Sequence, residues 1–268
     1  MQFSLWKYMS LAKFIDLLKS KQLFYCRADL FEDKFEGSSP LKQYEFNQSL
    51  VEKISSDVNN KLYVNIGKGF MDLGKGGEHL TKFFEEAKLM HYISCWHQNE
   101  AESEAMWKLY LQGNEGVAIR TTGSNLYTSI SNHNENSIMN DFVEYIDFNT
   151  MGIDQSIKDK YNWSAPFFVK RNHYSHEKEY RSVIRYVNTQ VDSNLSKFNF
   201  DKDKQIEKTG LKVDVDLTRL INEVYVSPFS APYFKEIVSD LLRKYEVKDR
   251  DNKYMTVKDS NLNKSPIY

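Results

Sequence analysis

Three stretches of this chain concentrate side chains able to hold or move charge. The first is Tyr25-Cys-Arg-Ala-Asp29 running into Glu32-Asp33, where Arg27 on a strand offers a planar fork of donors suited to a phosphate. The same arginine could instead pair with a neighbouring carboxylate. The second is Ser94-Cys-Trp-His97 followed by Glu102-Ser-Glu-Ala-Met-Trp-Lys-Leu-Tyr110. On a helix Ser103, Trp107 and Tyr110 share a face, because side chains three and four residues apart are neighbours. Two rings beside a hydroxyl make a stacking wall for a nucleobase or nicotinamide, although packing against a sheet explains the spacing equally well. His97 reads as a lone imidazole just past a strand end. The third stretch is Lys170-Arg-Asn-His-Tyr-Ser-His176-Glu-Lys-Glu-Tyr-Arg181. On a strand, Glu177, Glu179 and Arg181 would project to one face. Neighbouring carboxylates repel, which raises the pKa of one, and a nearby arginine restores ionisation. Such a pair can polarise a sugar hydroxyl or stabilise a developing cation. A solvated strand face looks the same.

Other chemistries lack their signatures. His176-Glu-Lys-Glu179 has no second histidine four residues on, so the zinc-protease pattern is absent, and no Gly-x-Ser-x-Gly elbow occurs. His91, His97, His173 and His176 show no ligand spacing, so no metal is predicted. Gly74-Lys-Gly-Gly77 lacks the strand-loop-helix setting of a phosphate loop and is read as part of a flexible loop, Gly67 to Gly77. Cys26 and Cys95 are too few for a disulfide framework. Lysine plus arginine (36) balances aspartate plus glutamate (37), so no global field selects nucleic acid or membrane. The opening Met-Gln-Phe-Ser-Leu-Trp has no secretory pattern, and no apolar run approaches the roughly 20 residues of a membrane span. A cytoplasmic protein without a membrane partner is expected. Its 17 Tyr and 17 Phe suit a well-filled core or stacking surfaces.

The elements that must position these groups follow from periodicity. A strand is expected at 5–9, then a helix capped by Ser10 with Leu11, Phe14, Ile15 and Leu18 inward. Gln22 to Arg27 reads as a strand with Leu23, Tyr25 and Arg27 on one face. Residues 40–90 read as mostly helical outside the glycine-rich stretch, and 91–96 as a buried strand. Asn99 to Glu102 resembles a capping box opening a helix to about 111, with Glu104 and Lys108 as a surface ion pair. Further strands are expected at 116–122, 141–148 and 176–187. A polar insertion at 188–210 precedes a C-terminal strand-helix-strand, with strands near 221–226 and 255–257 about a helix at 232–245. The irregular alternation predicts one α+β domain over 1–268, a mixed, largely antiparallel sheet flanked by helices.

In order, Tyr25-Cys-Arg-Ala-Asp, Glu36-Gly-Ser, Ser94-Cys-Trp-His, Glu102 to Tyr110, Gly116-Val-Ala-Ile, Lys170-Arg, His176-Glu-Lys-Glu-Tyr-Arg and Val224-Tyr-Val-Ser-Pro resemble a bacterial family catalogued as domain of unknown function 2971. Where that family's acidic turn commonly reads Asp-Pro-Phe-Glu-Gly, this chain has Asp33-Lys-Phe-Glu-Gly37, which implies a looser turn. The resemblance implies a role in phage defence or abortive infection. A more distant likeness is to ADP-ribosyltransferases, which also begin strand-helix-strand and end their site on a strand bearing Glu-x-Glu. It implies NAD as co-substrate and a protein or nucleic-acid acceptor. Glu179 would orient the ribose and nucleophile with Glu177 assisting, Arg27 would hold phosphate, and Trp107 or Tyr110 would stack on a ring. Two alternatives stand beside it. Arg27, Arg120, Arg171 and Arg181 would form a pocket that senses a nucleotide or nucleic-acid end, or His97, His176 and the glutamate pair would carry a metal-dependent nuclease or phosphodiesterase; Lys170 is a further ligand-binding candidate. The sequence assigns no oligomeric state.

Overall fold

The first strand, β1 (Ser4–Ser10), ends in a serine that caps α1 (Leu11–Ser20), its Oγ accepting from the Lys13 amide. Phe14, Leu17 and Leu18 turn the apolar face of α1 inward. The helix stops at Lys21, whose left-handed φ of 53° redirects the chain into β2 (Gln22–Arg27). Leu23, Tyr25 and Arg27 are the buried face of β2, as alternation requires. The computed structural model describes residues 3–46, 49, 86–111, 113–130, 138–186 and 207–263, with the backbone of 61–65, 70–75, 189–191 and 198–200.

The central strand is β5 (His91–Gln98), which extends past His97 and so places that residue within the sheet, not beyond a strand end. One edge of β5 pairs along its length with β10 (Glu179–Arg185), and β10 pairs in turn with β7 (Ile138–Phe142). The other edge forks. Its start pairs with β2 at Cys26 and Arg27, and its end pairs with β1 at Leu5 and Trp6. Beyond β2 lies β13 (Gly210–Asp214). Beyond β1 lie β6 (Gly116–Thr122), β14 (Glu223–Val226) and β15 (Val257–Lys258). All these pairings are antiparallel except β14 with β15. The result is the expected α+β architecture with a mixed, largely antiparallel sheet.

Register assigns the two faces. Tyr92, Trp96, Tyr180, Ile184, Leu5 and Met9 meet α1, α5 (Leu217–Leu220) and α6 (Phe234–Lys244) in the largest core. On the opposite face two apolar clusters stand apart. One gathers Ile93 and Val183 with Phe167, Phe168 and Trp163. The other gathers Trp6, Tyr8, Ala118 and Tyr225 under Met106 and Trp107 of α2 (Glu104–Tyr110). Between them, on the same face, lie Cys95, His97, Glu179 and Arg181, so a band of polar side chains separates two oily ones.

Several expectations are corrected. Residues 61–65 and 70–75 form an antiparallel hairpin (β3 and β4), so the glycine-rich stretch is not a loop throughout and 61–65 is not helical, whereas 41–46 and 86–90 are helical as expected and most of the remainder of 40–90 lies outside the described residues. Glycine punctuates the sequence as a loop would, but cross-strand pairing between flanking β-prone residues overrides that local signal. The strand expected at 141–148 breaks into β7 and β8 (Glu144–Ile146), the latter pairing parallel with β9 (Val169–Arg171). The strand expected from 176 begins only at Glu179, after a 3₁₀ turn at Asn172–Glu177. The insertion expected at 188–210 falls largely outside the described residues. Within it, 189–191 and 198–200 pair as β11 and β12, and β13 begins at Gly210.

Candidate functional site

β10 brings Glu179 directly opposite His97 of β5, and Arg181 opposite Cys95. Arg181 is wholly buried and fully paired. Its Nε donates to Glu179 Oε2 at 2.7 Å, and its two terminal nitrogens grip Glu36 Oε1 and Oε2 at 2.6 and 2.8 Å, one also reaching Phe167 O at 2.8 Å. This bidentate geometry is the strongest arrangement open to a guanidinium and a carboxylate. The acidic turn supplies Glu36 through a tight bend. There the Glu36 amide donates to Asp33 O at 2.9 Å, and Gly37 takes φ 64°. A Cβ at Gly37 would lie 2.3 Å from the Phe167 ring, so only glycine fits, and the lysine in place of proline does not unravel the turn.

The second carboxylate arrives differently from the strand pattern. Glu177 closes the 3₁₀ turn, and Lys178 follows at φ 40°, swinging the Glu177 side chain back over the start of β10. Lys170 of β9 then spans both acids, Nζ donating to Glu177 Oε2 at 2.8 Å and Glu179 Oε1 at 2.6 Å. The chain Glu36–Arg181–Glu179–Lys170–Glu177 therefore holds three carboxylates against two cations. That imbalance separates the pair in titration. Glu179, despite burial, is held well below the ordinary carboxylate range by Arg181 and Lys170. Burial, followed by the bond to Glu179 and its charge, pushes Glu177 up to about 7. One acid is permanently charged, and its neighbour can exchange a proton near neutrality.

Around this pair are groups of defined state. His97 Nδ1 lies 2.6 Å from Glu177 O, which makes it the donor and leaves Nε2 as an acceptor. Nε2 is buried with no hydrogen-bond partner among the described residues, and burial lowers the imidazole pKa. Tyr110 keeps its ring 43 % exposed while its hydroxyl feels the charges of Cys95, Glu179 and Glu177; burial foremost, then these groups, raises its pKa. Tyr145 accepts the Glu179 amide proton at 2.8 Å and fixes the entry to β10. At the rim, Arg171 donates to Asp33 at 2.6 Å.

Other sequence-derived candidates lie elsewhere. Arg27 pairs opposite Tyr92 of β5, and Tyr92 is an odd number of residues from His97, so Arg27 points to the other face of the sheet from Glu179. Its guanidinium is committed to Asp29 at 2.5 and 3.0 Å and to Lys208 O at 2.9 Å. It cannot hold a phosphate for Glu179. Trp107 is fully buried, edge-on to Tyr8 at 4.9 Å, with Nε1 donating to Glu102; it is core and not a stacking wall. Ser103, not Asn99, caps α2, its Oγ accepting from the Met106 amide, and its own amide donates to the Tyr8 hydroxyl. Asn99 and Glu102 are otherwise engaged, the first accepting from Trp6 Nε1 and the second from Trp107 and the Asn261 amide. The exposed Glu104–Lys108 pair forms as expected, at 2.6 Å.

Arg120 sits on the same face as Glu179 but further along, bonded to Glu223 and Ser4 in a separate groove of about 710 Å³. Arg27, Arg120 and Arg181 therefore build no common pocket. His176 is exposed on the 3₁₀ turn, and His91 is a satisfied core residue between Ala87 O and Ser164 Oγ. The described residues contain no group of three or more His, Cys, Asp or Glu that could hold a metal ion, and no helix among them is long and apolar enough to cross a membrane. Sequence reasoning missed Glu36 and Tyr145. Only Glu36 carried a signal, the glycine beside it. Compared with family models, with curated proteins and with solved structures, the chain finds no match.

Proposed function

We propose that the protein binds a nicotinamide dinucleotide beside Glu177 and Glu179 and that the carboxylate pair drives glycosyl transfer from its nicotinamide-bearing ribose. The observation that carries this reading is two acids clamped on Lys170, one fixed as an anion and one poised to exchange a proton. The bond from ribose C1′ to the nicotinamide nitrogen breaks, and its electron pair leaves on a neutral nicotinamide. Positive charge grows on the ribose and is stabilised by the fixed charge of Glu179 in a water-poor setting. Water, or a hydroxyl of a protein or nucleic acid, attacks C1′, and its proton passes to ionised Glu177. Tyr110 offers the exposed ring that Trp107 does not. The strand-helix-strand opening and the Glu177-x-Glu179 spacing, its second glutamate opening β10, support the likeness to ADP-ribosyltransferases. Resemblance to the domain of unknown function 2971 family adds a defence-effector role and, with it, action in the cytoplasm.

A second reading, nucleotide sensing without turnover, is favoured by one fact: both oxygens of Glu179 are already occupied. Incubation with NAD labelled in its nicotinamide and adenine halves separates the two. Nicotinamide release is expected, with the adenine label appearing on a macromolecule for transfer or in free ADP-ribose for hydrolysis. Binding without release selects sensing. No release and no binding at about millimolar NAD, a weak limit worth about 4 kcal/mol, overturns both.

Arg27 supplies an internal control. Arg27→Gln removes a charged hydrogen-bond set on the far face and is expected to cost about 1.5–3 kcal/mol of stability, as bonds to charged groups do. Nicotinamide release below the unfolding transition should be unchanged. A selective loss of turnover in the folded variant would return Arg27 to the site.

A further inference from the structure

The groove around Arg120, about 710 Å³ in volume, falls in the size range of sites for small organic ligands. It opens where β1 starts, β6 ends and β14 starts, because register sets Ser4 opposite Thr122 and Arg120 opposite Glu223. Alternation puts Ser4, Arg120 and Thr122 on one face. Ser124 and Asn125 of α3 (Gly123–Ser129) add polar side chains, and the turn at 249–253 brings Arg250 to the same groove. Among the described residues no aromatic or aliphatic side chain lines it.

The two arginines are held in one frame. Asp249 braces the turn, its Oδ1 accepting from the Asp251 and Lys253 amides at 2.9 Å each. Arg250 Nη2 donates to Asn125 Oδ1 at 2.6 Å, and Asn125 Nδ2 donates to Asn222 Oδ1 at 2.7 Å. The Asn222 amide then donates to Arg120 O at 2.9 Å, which completes the link.

Both guanidinium groups keep donors to spare. Arg120 spends three of its five N–H bonds, two on Ser4 Oγ at 2.8 and 3.3 Å and one on Glu223 at 3.0 Å. Arg250 spends one, and no carboxylate among the described residues lies within 4.0 Å of it. Glu223 is already answered by Arg120, Lys258 and the Tyr225 hydroxyl. Glu100 is exposed, where water and salt screen its charge, and it accepts from Ser4 Oγ at 3.2 Å.

Two such forks beside the hydroxyls of Thr122 and Ser124 suit a tetrahedral dianion, which accepts from several directions, better than a planar carboxylate. The rest of the ligand must be polar as well. With no ring in the lining a nucleobase finds nothing to stack on, whereas Glu100 and Asn222 can bond hydroxyl groups. We propose that this groove is a second ligand site, for the phosphate monoester of a sugar, with phosphate between Arg120 and Arg250 and hydroxyls toward Glu100. It does not rest on the nicotinamide reading.

The test is calorimetric titration of the full chain, of Arg250→Gln and of Ser124→Asp with ribose 5-phosphate, inorganic phosphate, ribose, AMP and malate. Both substitutions lie at exposed positions, and both variants are expected to unfold at the wild-type urea midpoint. Ribose 5-phosphate should bind the wild type more tightly than inorganic phosphate, compete with it, and lose at least about tenfold in affinity in each variant. Arg250→Gln removes the free guanidinium, and Ser124→Asp sets a carboxylate against the phosphate. Ribose and malate should bind at least about tenfold more weakly than ribose 5-phosphate, and AMP no more tightly. Equal ribose 5-phosphate binding by wild type and both variants, or no binding to the wild type, overturns the site. Tighter binding of AMP, or equal binding of malate or ribose, overturns the assignment of a sugar phosphate.

Discussion

Replacing Arg181 by methionine is expected to cost about 3–5 kcal/mol, the usual penalty for removing one partner of a buried ionic network. Nothing else in the cluster can take over its work. Glu36 would lose both of its guanidinium bonds, Glu179 one of two, and Phe167 O its donor. Glu36 is itself buried, so its charge would have no water to turn to. With overall stability of globular proteins at about 5–15 kcal/mol, such a loss is a large share of the total. Urea unfolding would read it as a lowered midpoint at unchanged slope. A double variant, Arg181→Met with Glu36→Leu, should recover part of the loss, because the orphaned carboxylate is removed with its partner. A single-variant loss below about 1 kcal/mol would place the pair in the range of exposed salt bridges and refute the buried-network description.

How far the site was legible follows from the same residues. Strand β2 and its faces could be read, since alternation is a local property and Leu23, Tyr25 and Arg27 obey it. So could α1 with its serine cap and α6 with its apolar stripe. The proximity of Glu177, Glu179 and Arg181 was legible because they are close in sequence, although Glu177 reaches the cluster from a 3₁₀ turn and not from a strand. What could not be read is which face of one element meets which face of another. Arg27 and Glu179 are both strand residues at suggestive positions, yet the register of β2 and β10 on β5 puts them on opposite sides. The helical spacing of Trp107 and Tyr110 shows a shared stripe without showing that the sheet lies against Trp107. Glu36 and Arg181 are 145 residues apart, and no periodicity links them.

Changing Glu177 to glutamine should abolish glycosyl transfer while leaving the fold intact. Glutamine has the shape of protonated glutamate. Its carbonyl can accept from Lys170 as Glu177 Oε2 does, and its amide can donate to Glu179 in place of the shared proton. What it cannot do is take a proton from the attacking group, and loss of a general base typically costs about a hundredfold to ten-thousandfold in rate. The pH dependence gives an independent reading. Because the folded protein holds the Glu177 proton up to about 7, wild-type turnover should rise through that pH and then level, whereas the variant should be slow and flat. The rising limb belongs to the coupled pair and not to one residue alone. Stability must run the other way. The unfolded glutamate ionises near 4.5, so between about 4.5 and 7 the folded state binds the extra proton and wild-type stability falls as pH rises. Glu177→Gln should flatten that slope and match or exceed the wild type above pH 7. Glu179, with its depressed pKa, acts in the opposite sense and only at lower pH, its contribution being lost as pH falls below 4.5 toward its folded value. A variant that keeps wild-type turnover, or one whose stability slope is unchanged, would show that the two acids hold the strand and the 3₁₀ turn together and do nothing more.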